Sequence, residues 1–162
     1  MISPLFNHLL IPFLVALFFA INMGGSGTGP SFSAAYGANV IRRSAIAGLF
    51  GIMVFFGALI AGKATATTLG KELLNPELMS YSIVSIILFA VSISLLVANL
   101  VGIPQSTSQS TVLAVTAAAI YFDQFNSNKL FIQIIPAWFI LPVISFFLCF
   151  LIGKYIYKPI RK

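Results

Sequence analysis

Two stretches carry the side chains that could do chemistry. Val101–Thr111 reads VGIPQSTSQST; its polar side chains are hydroxyls and carboxamides, and none is charged. Asn22–Pro30 reads NMGGSGTGP, with four glycines and a proline around Asn22, Ser26 and Thr28. In the first stretch Gly102 and Pro104 are the residues expected to break a helix. Ser106, Thr107 and Ser108 then begin the next one, so its free N–H groups and positive dipole end point into the break. A helix start dressed with Ser and Thr holds an oxyanion without a formal cation. In the second stretch Gly24, Gly25, Gly27 and Gly29 allow backbone to approach a ligand or another helix. Close packing through the small pair Gly25 and Gly29 is the competing reading.

No catalytic, metal or cofactor set accompanies these stretches. The lone His8 lies near the N-terminus, Cys149 stands alone in an apolar run, and there is no phosphate-binding P-loop. A multi-helix membrane enzyme is disfavoured because acid and base residues are missing. Matching interrupted segments point instead to a transporter site, and the two halves share a pattern: apolar helix, Asn (Asn22 or Asn99), Gly/Pro break, Ser/Thr cluster, small-residue helix.

The surrounding elements must place these stretches in a bilayer. Apolar residues make up 59% of the 162 and charged residues 7%, far below the roughly 25% charged of a soluble domain. One transmembrane domain, 1–162, is expected, all-α, with about four to five crossing helices and two interrupted or re-entrant segments. The first helix starts near Pro4 and runs through Ile21. Asn22–Pro30 interrupts it, leaving Ser31–Ile41 as a short piece, too short to cross alone. Ser44–Gly62 is a second crossing, with Gly48, Gly51 and Gly57 as a packing face. Lys63–Glu77 is a loop with a short helix outside the hydrocarbon, where Glu72 and Glu77 pair with nearby lysines. Tyr81–Leu100 is the clearest span, Val112–Phe122 the outgoing arm of the second break, and Leu130–Gly153 the last crossing, with Pro136 and Pro142 positioned to kink it. If the breaks lie at membrane depth, their backbone must be covered by protein or line a wet cavity.

The net charge of +6 reads as topology, not as a nucleic-acid surface. Arg42, Arg43, Lys154, Lys158, Arg161 and Lys162 fall on one side, and Lys63, Lys71 and Lys129 on the other. This predicts a multi-pass protein of the cell (cytoplasmic) membrane with its C-terminus in the cytoplasm and its N-terminus outside.

Asn22-Met-Gly-Gly-Ser-Gly-Thr-Gly-Pro-Ser-Phe-Ser-Ala-Ala-Tyr-Gly, followed by Arg42-Arg43-Ser-Ala, resembles the glycine-rich signature of the inorganic phosphate transporter (PiT) family. Gly102-Ile-Pro-Gln-Ser-Thr-Ser is similar to that family's second signature, and order and spacing match one family repeat. The family signature begins Asn-Asp and carries a second Asn; here Met23 and Ser26 stand in those places, a variant closer to the sulfate permease branch. The resemblance implies an anion symporter whose anion, sulfate or phosphate, contacts Asn22, Ser26 and Thr28 on one side and Ser106, Thr107 and Ser108 on the other. Met23 in place of the Asp implies proton rather than sodium coupling. Family members carry two inverted repeats, so one repeat implies a half-transporter paired with an antiparallel copy of itself or with a separate half. The alternative from another class is a non-transporting membrane subunit whose motifs serve packing alone.

Overall fold

A computed structural model describes residues 4–71, 76–125 and 127–157. Among them every regular element is helical, and four helices are long and apolar enough to cross a membrane: Leu9–Gly37, Arg43–Ala64, Tyr81–Val101 and Leu130–Ile156. The chain forms two compact units, Met1–Phe125 and Asn126–Lys162.

In the first unit, α1 runs without interruption from Pro4 to Gly37 and α2 from Arg43 to Lys71. The expected break at Asn22–Pro30 is therefore absent: the glycine run, Pro12 and Pro30 all lie inside α1. A glycine costs a helix about 1 kcal/mol relative to alanine. Each backbone group freed in hydrocarbon costs several, so in an apolar setting the helix is the cheaper path through this sequence. The stretch from Lys63 to Lys71 is likewise a continuation of α2 and not a loop. A short 3-10 turn follows at Pro76–Leu78. Glu72, expected to pair with lysines, lies outside the described residues. Among the described residues Gly48, Gly51 and Gly57 form no packing face, since none lies within 4 Å of the position a Cβ would take at any of them.

The second break is present. α3 spans Tyr81–Val101 and α4 spans Thr107–Tyr121. Gly102 ends α3 in the left-handed region at φ 75°, which glycine adopts without the Cβ penalty. Its N–H reaches the Asn99 carbonyl at 3.3 Å and the Ile103 N–H reaches Ala98 at 2.9 Å, the paired bonds of a Schellman cap. Pro104, lacking an N–H, cannot resume the helix. Ser106 then caps α4, its Oγ accepting from the Gln109 N–H at 3.4 Å. Four residues of extended or capped chain thus turn the backbone around.

α1 and α3 run parallel. Phe18 meets Phe89 with ring centroids 6.2 Å apart, Asn22 pairs with Asn99, and Ser26 pairs with Gln105. α4 folds back along α3, where Ala114, Ala117 and Ala118 face Ile83, Ile86 and Ala90 across a shallow cleft. α3 and α4 therefore form a helical hairpin with its tip against the middle of α1. Leu95, Ser92 and Ala119, each 0% exposed, are the most fully buried side chains described in this unit. The Ser92 and Ser85 hydroxyls are satisfied by the carbonyls of Leu88 and Tyr81, one turn back. α2 returns beside α1, with Phe50 edge-on to Phe32 at 6.4 Å.

The second unit is a single helical rod. A π-helical stretch, Lys129–Ile134, leads into α5, Ile135–Ile152, and a second one follows at Gly153–Tyr157. Pro136 stands in the first turn of α5, where its missing N–H is not needed. The preceding Ile135 N–H reaches back five residues to Leu130. Pro142 lies inside the helix. No side chain of α5 is buried, as befits a helix whose surroundings are lipid or another chain. Lys158, Arg161 and Lys162 of the expected basic tail lie outside the described residues.

Candidate functional site

Two layers of contact tie the hairpin to α1, and a third fastens the hairpin's own two arms to its tip. In the first, the Asn99 carboxamide donates to the Asn22 carbonyl at 3.0 Å. Gly25 lies beneath it; a Cβ there would stand 3.2 Å from Asn99 Nδ2. Asn22 is 4% exposed, and its own amide donates to Phe18 one turn back at 2.9 Å. In the second, the Ser26 hydroxyl, 8% exposed, donates to the Gln105 carbonyl at 2.7 Å. In the third, the Gln105 side-chain amide donates to Ser94 Oγ and Ser110 Oγ, both at 2.7 Å. One residue in the tip thus binds α1 through its main chain and both arms of the hairpin through its side chain.

Helical spacing accounts for the first two layers. Asn22 and Ser26 stand four residues apart and share a face, which α3 covers. Gly25 is the gap that lets Asn99 reach a main-chain carbonyl already inside a helix.

At the start of α4, Ser106 Oγ is occupied by the cap and the Ser106 carbonyl accepts from Ser110. Thr107 contributes its carbonyl to Thr111 Oγ1 at 2.9 Å. The N–H groups of Thr107 and Ser108 have no partner among the described residues, as expected for the first positions of a helix. Ser106 and Ser108 are exposed and Thr107 is half-buried. The tip presents free N–H and hydroxyl donors at the positive end of a helix dipole, an arrangement that holds an anion. Among the described residues no group of three or more His, Cys, Asp and Glu side chains could hold a metal ion.

Asn22 and Ser26 are thus brought to the hairpin, Ser26 at Gln105, next in sequence to Ser106–Ser108, and Asn22 at Asn99. Thr28 is not among them. It lies two residues beyond Ser26, on another face of α1, where its hydroxyl returns to the Gly25 carbonyl at 3.3 Å and it lines a cleft towards α2. The glycines divide in the same way. Gly25 admits Asn99, and Gly27 admits the Phe50 ring, whose Cζ would be 2.8 Å from a Cβ; Gly24 and Gly29 have nothing within 4 Å of theirs. Gln105 and Ser94 were not singled out by sequence reasoning. The available signal was a carboxamide between the helix breaker Pro104 and the Ser/Thr run, a position where a side chain able to donate twice can fasten a turn.

The sequence model of the phosphate transporter family matches residues 23–162. The chain belongs to the phosphate transporter family. It is 35% identical over 146 residues to the sulfate permease CysP of Bacillus subtilis, covering 90% of this chain and 41% of that protein. To a protein named putative phosphate permease from Thermococcus kodakarensis it is 29% identical over 160 residues, covering 94% of this chain and 39% of the relative. A protein of the same name from Pyrococcus furiosus is 25% identical, with 94% and 39% covered. The chain spans about two fifths of the length of these relatives. No solved structure matches significantly. In this family member both motifs meet: the glycine run lies in an unbroken helix whose notch at Gly25 takes Asn99, and the Pro-Gln-Ser-Thr-Ser stretch forms the hairpin tip that Ser26 binds at Gln105.

Proposed function

We propose that this family member forms one half of a secondary transporter for a small inorganic oxyanion, sulfate in preference to phosphate, driven by proton symport. The observation that carries this reading is the start of α4, where the unpartnered N–H groups of Thr107 and Ser108 and exposed hydroxyls sit on a tip clasped to α1. Ser106, Thr107 and Ser108 contact the anion; Asn22 and Ser26 hold the tip in place. Neutral donors suit an ion that must be released as well as bound.

Depth supports the same reading. Ser26 lies about 16 Å along the helix axis from the end of α1 at Gly37, beside the Arg42-Arg43 corner. That is about half of the ~30 Å hydrocarbon thickness. Polar groups exposed at that depth need protein or water around them, which a second half would provide, whether a further stretch of chain, an antiparallel copy or a separate partner. Arg42 and Arg43 at the cytoplasmic end and Lys63 at the other agree with the positive-inside rule. Similarity to a sulfate permease supports sulfate, and Met23 in place of an acidic residue supports proton coupling.

Uptake of labelled sulfate and phosphate, with and without a proton gradient and with a second half co-expressed, tests this. Sulfate uptake that collapses with the gradient and with Ser106, Thr107 and Ser108 all changed to alanine is expected. Unchanged uptake in that triple variant would overturn the assignment of the site. The second reading, a non-transporting subunit, draws on the tight contacts at Gly25 and Gly27; under it the triple variant fails to assemble instead.

A further inference from the structure

We propose that the cleft between the C-terminal half of α1 and the start of α2 is a binding site for an anionic phospholipid. The cleft has a volume of about 530 Å³, far more than a tetrahedral ion needs, and is open to its surroundings. Its lining is ordered by depth. Arg43 and Tyr36 stand at the end nearest the α1–α2 turn, Ser33 lies one turn below Tyr36, and Phe32, Ile46 and Ala47 wall the cleft. From Tyr36 down to the floor at Gly29 is about two helical turns, or ~11 Å. This is the order of a phospholipid: a charged headgroup at the membrane surface and an acyl chain in hydrocarbon.

The charges agree. Arg43 makes no ion pair or hydrogen bond among the described residues, and no acidic residue lines the cleft. The hydroxyls of Ser33 and Tyr36 are also unpartnered there. A guanidinium with its fixed fork of donors, beside two hydroxyls, matches a phosphodiester. Nothing lies within 4 Å of a Cβ built at Gly29, so the floor is open to a chain sliding in from the bilayer. On the α2 side the lining is Arg43, Ile46 and Ala47. The deep polar side chain, Thr28, is already satisfied by the Gly25 carbonyl, so the lower cleft asks for no polar ligand.

Native mass spectrometry of the full chain, released from detergent with phosphatidylglycerol or phosphatidylcholine added, tests the site. The phosphatidylglycerol adduct is expected to exceed the phosphatidylcholine adduct at least fivefold. Arg43→Gln should cut that preference about fivefold, in line with ~1 kcal/mol per basic residue near an anionic surface. Gly29→Leu, which fills the floor with Arg43 intact, should abolish the adduct, whereas Gly29→Ala should retain it. Each variant is first checked for a monodisperse elution profile and wild-type helicity; if Gly29→Leu fails that check, Ala47→Leu on the facing wall fills the cleft in its place, with the same expected loss. Equal adducts with both lipids, or a preference untouched by Arg43→Gln, would overturn the proposal. So would displacement of the lipid by millimolar sulfate or phosphate, which would make the cleft a free-anion site. A lipid-free dimer, its cleft filled by a second helix, would also overturn it.

Discussion

The side-chain amide of Asn99 on α3 donates to the main-chain carbonyl of Asn22 on α1, across the gap left by Gly25. An interhelical bond of this kind is worth about 0.6 kcal/mol in a membrane protein, and up to about 1.7. Asn99→Ala should therefore destabilise the α1–α3 pair by roughly 1 kcal/mol. Gly25→Val should cost more, because its side chain displaces the carboxamide from a tight site. The two effects should be non-additive, with Asn99→Ala relieving much of the Gly25→Val cost. Chemical unfolding of the four variants in detergent, read as a double-mutant cycle, measures this; strict additivity would contradict it.

A different response is expected along the same helix. At Gly27 a Cβ would lie 2.8 Å from the Phe50 ring, while at Gly24 and Gly29 it would meet nothing within 4 Å. Gly27→Ala should cost about 1–3 kcal/mol through overpacking, and Phe50→Leu should restore part of it. Gly24→Ala should stabilise by up to about 1 kcal/mol through helix propensity alone. Thermal melting midpoints of the single variants distinguish the two positions.

Gln105 anchors both arms of the hairpin to the tip through Ser94 and Ser110. Gln105→Leu should remove both bonds and raise hydrogen exchange of the hydrogen-bonded amides around the tip, Gly102, Ile103 and Gln109, at least tenfold, with less change in the body of α3. Hydrogen–deuterium exchange at residue resolution reads this; unchanged protection of those three amides would show that the side chain is dispensable there.

Gln105→Glu keeps the size and can still accept from the two hydroxyls, but adds a negative charge beside the α4 start. Above the ordinary carboxylate range, near pH 4.3, anion uptake should fall by at least tenfold. Because protonation restores a neutral side chain, activity relative to wild type should recover as the pH drops through that range. A relative rate flat from pH 4 to 8 would place the anion elsewhere.

Ser26→Ala removes the hydroxyl that binds the Gln105 carbonyl at 2.7 Å. The expected loss of stability is small, about 0.5–1.5 kcal/mol. Uptake should fall by a larger factor than that loss of folded protein explains, since the tip is no longer held at its level on α1. Rates normalised to correctly folded protein in the membrane separate the two contributions.

The legible part of this protein was set by composition and by local breakers. A 7% share of charged residues admits little besides a membrane setting, and apolar runs of about 20 residues placed the spans. Gly102, Pro104 and Ser106 each act on their own few neighbours, through a left-handed φ, a missing N–H and a capping hydroxyl, so the hairpin turn could be read from its residues alone. The same reasoning misjudged Asn22–Pro30. Glycine propensity is local, but the cost of freeing backbone in hydrocarbon depends on where the segment sits, and that cost keeps α1 whole.

The sequence alone determined the membrane class, the family signature and the polar character of the two motifs. Only the tertiary structure decided which of their residues meet. Ser26 and Thr28 are two apart in one motif, yet helical geometry turns the first to Gln105 and the second to the α2 cleft. Asn99 finds Asn22, and Gln105 finds Ser94, because a parallel α1–α3 register and an antiparallel α4 place them so. Residue types fix what a side chain can donate or accept; register between distant helices fixes whether a partner is there.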